Sequence, residues 1–200
     1  MKLFYTNASP YARSVRIVLR EYGLEERVGE TISHPFDDAP EFLASNPLGK
    51  VPCLTLDDGQ AIVDSEVICA YLDRVMGSGR LGGILESDWA LRTYYGVCSG
   101  LIDTLVLLRQ EKVREQQELR SDFWWQRYQN AISRTLEYLN RHSQRLGDTL
   151  SLAHINLACA LDYLNFRHPE INWRNAHGAL VRLADDLEQR TSFQATRLQE

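Results

Sequence analysis

Two places in the first part of the chain combine an oxygen-bearing side chain with the start of a helix. In Thr6-Asn7-Ala8-Ser9-Pro10-Tyr11-Ala12-Arg13, a short apolar run hands over to helical spacing at Val15, Ile17, Val18 and Leu19. Ser9 suits the N-cap, and Pro10 suits the first helical position, where its missing N–H does no harm. A helix start presents unpaired N–H groups and the positive end of the backbone dipole, so an anion is stabilised there. A seryl hydroxyl at that point can also donate to it. On the residue alone, a cap with no further role explains Ser9 equally well. Arg13 lies one turn further on and leans back toward the helix start, unless it is solvated or bridges two domains. Tyr11 either lines a pocket or packs. Asp64-Ser65 opens the second helix, ahead of Val67, Ile68, Tyr71, Leu72 and Val75. It reads as a capping pair, and equally as a site for a ligand carboxylate with Asp64 free to pair a cation.

The elements that must hold these residues follow from periodicity. Residues 2–6 read as a strand, Ser9 to Gly23 as a helix, and 28–33 as a second strand. Asp37 to Pro47 reads as a loop with one helical turn. Two short apolar runs then flank Asp58-Gly59, a dipeptide suited to a type I′ hairpin turn. The order is β-α-β-(α)-β-β-α, an α/β domain over residues 1–76. The glycine-rich residues 77–83 read as a linker and domain boundary. Beyond them, residues 87–118, 123–145, 150–166 and 175–189 carry helical spacing, so 84–200 is predicted to be all-α.

Composition narrows the function. The net charge is −5 and no Lys/Arg cluster reverses it locally, which argues against a nucleic-acid partner. No apolar run reaches the roughly 18–20 residues of a membrane span. The opening residues form a strand-like run without the apolar core of a signal peptide, so a cytoplasmic protein is expected. Cys53, Cys69, Cys98 and Cys159 include no C-x-x-C and no His at metal-ligand spacing. They are expected to be reduced core residues, with no metal bound.

Five segments together carry a family resemblance: "SPYARSVRI", "NPLGKVPCL", "VDSEVICAYL", "TLSLAHINLACALDYL" and "RTSF". In this order and spacing the chain resembles the cytosolic glutathione transferases, nearest to bacterial members with serine at the active position. The resemblance implies a thioredoxin-like domain followed by a helical bundle, and a homodimer with a detoxifying role. Ser9-Pro10-Tyr11-Ala12 stands where glutaredoxin-like proteins have Cys-Pro-Tyr-Cys. The loop would then serve the sulfur of a bound thiol instead of supplying its own. A free thiol has a pKa of about 8.5, and lowering it by two units takes about 2.7 kcal/mol of preferential thiolate stabilisation.

The resemblance also implies site residues. Ser9 would stabilise the thiolate of glutathione, the co-substrate. The Val51–Pro52 bond would be cis and offer the backbone of Val51 to the cysteinyl part. Without the resemblance trans is expected, since only about 5–6% of X–Pro bonds are cis. Lys50 would meet a glutathione carboxylate or stay solvated. Asp64 would pair the γ-glutamyl ammonium and Ser65 its carboxylate, although the family more often has Glu where Asp64 stands. Tyr11 and Arg13 are candidates for the pocket of a small hydrophobic electrophile. Tyr94, Tyr95, Leu101 and Leu105 would line it too, or belong to the core. The family's helical domain usually has Ser or Thr followed three residues later by Asp; here Ser151 is followed by His154, a matter of stability. A glutathione-dependent isomerase or dehalogenase is the second enzyme reading, and a transferase-like protein-binding module the non-enzymatic one. Ser9, Val51-Pro52 and Asp64-Ser65 are all present, which favours the transferase.

Overall fold

The computed structural model describes residues 1–200. In the first part of the chain, β1 (Lys2–Tyr5), α1 (Pro10–Glu21) and β2 (Gly29–Ile32) form a crossover unit, with β1 and β2 parallel. After the short helix α2 (Pro40–Ser45) come β3 (Cys53–Thr55), β4 (Ala61–Ile62) and α3 (Ser65–Tyr71). The sheet order is β2-β1-β3-β4, and the last two pairings are antiparallel. α1 is buried around most of its circumference: Ala12, Val15, Ile17, Val18 and Leu19 are all inaccessible.

The hairpin differs from the type I′ expectation. Of its loop residues only Gly59 has positive φ, at 87°. The Gly59 N–H donates to Leu56 O at 3.1 Å and the Leu56 N–H to Gln60 O at 2.8 Å. This is a three-residue loop, a tight turn followed by a glycine bulge, which needs the left-handed conformation only at its last residue. The Asp58 side chain fixes it by accepting the Gln60 N–H at 2.9 Å.

Nor are residues 77–83 a free linker. Past Tyr71 the helix widens over Leu72–Met76, and the Gly77 N–H reaches Leu72 O at 2.7 Å. Asp73, only 1% exposed, points its carboxylate at the segment that follows. Its two oxygens accept the Leu81 and Gly82 N–H groups, each at 3.0 Å, and Oδ1 also takes the Tyr22 hydroxyl. One buried carboxylate thus holds residues 77–83 against α1 and α3. The chain forms two compact units, Met1–Gly83 with Gln189–Glu200, and Ile84–Glu188. The last twelve residues therefore join the first unit, unlike the expected 84–200 grouping; they include the short helix α9 (Thr191–Gln194).

The second unit is helical: α4 (Ile84–Ser87), α5 (Trp89–Glu115), α6 (Asp122–Arg141), α7 (Leu152–Arg167) and α8 (Gly178–Glu188). α5 packs on α6 and α7. Tyr94 donates to Leu139 O at 3.0 Å, and Asn156 to Ser99 Oγ at 2.8 Å. α7 is buried over nearly its whole length, and its start shows how His154 replaces a carboxylate. The Ser151 N–H donates to His154 Nδ1 at 3.2 Å, so the proton resides on Nε2, 3.3 Å from Gly147 O. A neutral imidazole therefore completes the capping box. All four cysteines are buried, and none forms a disulfide.

Candidate functional site at one end of the sheet

The strand register decides which segments meet. Phe4 faces Cys53, and Leu54 faces Ile62. The chain leaving β1, entering β3 and leaving β4 therefore emerges at the same end of the sheet. Those three segments lead to Ser9, from Val51-Pro52, and to Asp64-Ser65.

Ser9 is the N-cap of α1, with φ −84° and ψ 119°. Its Oγ accepts the Ala12 N–H at 3.1 Å, which leaves its hydroxyl proton to be donated outward. The loop ahead is held by Asn7, whose side-chain oxygen accepts from Arg16 Nη1 at 3.2 Å. Arg16 lies over the Tyr5 ring at 4.3 Å and donates to Glu30 Oε1 at 2.7 Å, while Arg20 donates to Glu30 Oε2 at 2.8 Å. Burial alone would raise the Glu30 carboxyl; the bonds from Arg20 and Arg16 outweigh it and hold the group below the usual carboxylate range. Glu30 stays ionised, and through Arg16 it orients the loop that carries Ser9.

At the second helix start the cap sits one residue before Ser65. Asp64 is the N-cap and exposed, and its Oδ1 accepts the Glu66 N–H at 2.7 Å. Ser65 is the first helical residue and nearly buried. The Val51–Pro52 bond is cis, as is Val63–Asp64. Val51 packs with Phe4, Phe42 and Cys53. Lys50 is exposed, while its carbonyl accepts from Asn46 Nδ2 at 2.6 Å. The Asn46 side-chain oxygen takes the Leu48 N–H at 3.0 Å, so one buried amide folds the turn ahead of Pro52. Asn46 is not among the site residues expected from the sequence, although Asn before Pro is a turn signal.

Arg13 goes elsewhere. It is 2% exposed, and its Nη2 donates to Phe193 O at 3.3 Å. A guanidinium buried against α9 does not line a pocket for an incoming substrate. Tyr11 is half-buried, and its carbonyl accepts from Ser14 Oγ at 2.8 Å. Of the pocket candidates on α5, Tyr94, Leu101 and Leu105 are core residues of the second unit, while Tyr95 is half-buried. No group of three or more His, Cys, Asp or Glu side chains is placed to hold a metal ion. No helix is long and apolar enough to cross a membrane.

Comparison with known proteins bears on this geometry. Residues 8–75 match the model of the glutathione S-transferase N-terminal domain, and residues 122–185 that of the C-terminal domain. The chain is 31% identical over 202 residues to the uncharacterized GST-like protein YibF of Escherichia coli (strain K12), covering 98% of each. Among solved structures it is similar to a glutathione transferase family member from Pseudomonas fluorescens Pf-5 with bound glutathione. That match has 35% identity and a TM-score of 0.90, covering 100% of this chain and 99% of the other. A structure of a Pf-5 family member with bound S-(propanoic acid)-glutathione aligns at 36% identity and a TM-score of 0.87, with the same coverage.

Proposed function

The chain belongs to the glutathione S-transferase family, and from that premise we propose that it is a glutathione transferase with Ser9 as its thiol-activating residue. The observation that carries this reading is the convergence of Ser9, Val51–Pro52 and Asp64–Ser65 at one end of the sheet, set by the register of β1, β3 and β4. The bound glutathione and the S-substituted glutathione in the Pf-5 structures support it.

Glutathione supplies the nucleophilic sulfur and this chain positions it. The backbone of Val51 pairs with the cysteinyl unit. The α3 start, with the Ser65 hydroxyl, receives the γ-glutamyl carboxylate. Asp64 keeps Oδ1 on the Glu66 N–H and turns its other oxygen to the ligand's ammonium. Lys50, exposed beside this site, meets the remaining carboxylate. Ser9 has one proton to donate and directs it to the sulfur, beside the positive end of the α1 dipole. The thiol proton leaves to solvent, and the thiolate attacks an electrophilic carbon of a small apolar substrate, with Tyr11 at the pocket's edge. The C–S bond forms as that carbon's bond to its leaving group breaks, and the leaving group departs with the electron pair. The protein works as a cytoplasmic homodimer.

Isothermal titration with glutathione, followed by conjugation assays over a panel of electrophiles, tests the proposal. Saturable heat and turnover are expected; no heat and no product would remove it.

A further inference from the structure

The Arg190-Thr191-Ser192-Phe193 motif takes no part in the binding reading, yet it is tied to the helix that carries Ser9. Arg190 grips the Glu21 carboxylate in two places, Nε to Oε1 at 3.0 Å and Nη2 to Oε2 at 2.8 Å. Ser192 Oγ adds a bond to Oε1 at 2.5 Å. Burial alone would raise the Glu21 carboxyl, and the bonds from Arg190 and Ser192 hold it below the usual range instead. Phe193 is fully buried, and its carbonyl accepts from Arg13 in the first turn of α1. Thr196 Oγ1 donates to Ser192 O at 2.9 Å and closes the turn. Finally the Gln199 N–H donates to Asn7 O at 3.2 Å, two residues ahead of Ser9.

The tail is thus fastened to α1 at its last residue, in its first turn, and at the loop that leads into it. A helix of this length spans about 18 Å at 1.5 Å per residue, so the attachments sit at both of its ends. Helix and tail both hold Asn7. Arg16 holds its side chain from the helix side, and Gln199 holds its carbonyl from the tail.

We propose that residues 189–200 form a strap that positions Ser9, with Gln199 and Asn7 as its working contact. The strap acts on the reaction through the loop and touches no reacting atom. Release of the Asn7 carbonyl frees the loop to tilt, and the Ser9 hydroxyl loses its aim at the sulfur. Displacements of an ångström at such a donor are enough to lower a rate measurably. The catalytic part of this claim rests on the transferase reading; the structural part does not.

Gln199→Pro removes the N–H and leaves the chain length unchanged, while Gln199→Ala keeps the N–H. Two quantities are to be measured: amide exchange at Ala12 and Arg13 in the free protein, and the thiol pKa of glutathione in the binary complex. The proline variant is expected to exchange at those amides about five-fold faster and to raise the thiol pKa by about half a unit. The alanine variant should match the wild type. Unchanged exchange in Gln199→Pro overturns the strap. Faster exchange with an unmoved thiol pKa overturns its role in positioning and leaves it a structural anchor. A wild-type protein without bound thiolate overturns the Ser9 reading instead, and the exchange measurement then decides the strap alone.

Discussion

Phe4 of β1 stands opposite Cys53 of β3, and this single pairing brings the loop before Ser9 alongside the Val51–Pro52 bond. Neither residue touches a ligand in the proposed reaction. Both are buried in one cluster with Phe42 and Val51, so the register is held by core packing. A one-residue slip would turn every side chain of β3 to the other face and separate the segments. The site is therefore a consequence of the sheet.

Asp64 caps α3, and the proposed reaction gives it a second task that can be separated from the first. Asn caps a helix about as well as Asp but carries no charge for the ligand's ammonium. Asp64→Asn should hold the melting temperature while weakening glutathione about tenfold, equivalent to about 1.4 kcal/mol. Asp64→Ala should weaken glutathione similarly and also lose about 1 kcal/mol of stability with the cap. Calorimetric titration and thermal melts of both variants distinguish the roles. Equal affinity in wild type and Asp64→Asn would make Asp64 a cap alone.

Gly77 is required by close approach. A Cβ there would lie 2.5 Å from the Tyr22 ring and 2.8 Å from Asp73 O. The ring can shift, but the carbonyl belongs to the turn that presents the Asp73 carboxylate to Leu81 and Gly82. Gly77→Ala is expected to destabilise the first unit by about 1–3 kcal/mol, the usual range for overpacking. Urea unfolding reads this directly, and an unchanged midpoint would contradict the packing described for residues 77–83.

His168 makes stability depend on pH. Its ring is inaccessible, and Nε2 lies 2.9 Å from Leu105 O, so that nitrogen carries the proton. Burial, reinforced by the charge of Lys112, pushes its pKa down to about 4, despite Glu170 at 3.8 Å. The unfolded histidine binds a proton as pH falls through about 6.5, and the folded one does not until about 4. Its contribution is therefore fully present above pH 6.5 and is lost progressively on going down to pH 4, by roughly 3 kcal/mol. The unfolding free energy of His168→Gln should fall less steeply across this window than that of the wild type. Parallel curves would place the acid sensitivity elsewhere.

What the sequence makes legible here is local. The Ser9 cap with Pro10 at the first helical position, the strand before it and the apolar spacing of α1 all follow from neighbours within one turn. Asp64 and Ser65 read together as a capping pair, and the structure gives the cap to Asp64, whose carboxylate reaches the Glu66 N–H. Arg13 shows where spacing fails: its position suggests a reach toward the helix start, but its partner is 180 residues away. The same holds for Glu21 with Arg190, and for Asp73 with Leu81 and Gly82. A buried charge chooses a partner by proximity in the folded chain, and no periodicity records that choice. Residues 77–83 look like a flexible linker because glycine marks both freedom and close packing; only the Tyr22 ring beside Gly77 tells the two apart.

The central claim is that Ser9 donates its proton to the sulfur of bound glutathione. A hydrogen bond to a charged group is worth about 1.5–3 kcal/mol, so Ser9→Ala should raise the thiol pKa in the binary complex by roughly one to two units. Ala also removes the cap from Ala12, so helix stability should be followed alongside by thermal melts. Ultraviolet absorbance of the thiolate, titrated against pH at saturating glutathione, measures the shift. Affinity should change less, because the contacts proposed at Val51, Asp64 and Ser65 remain. A higher thiol pKa with a matching loss of conjugation rate at neutral pH is the result this account predicts. A thiol pKa that is the same with serine or alanine at position 9 would contradict it.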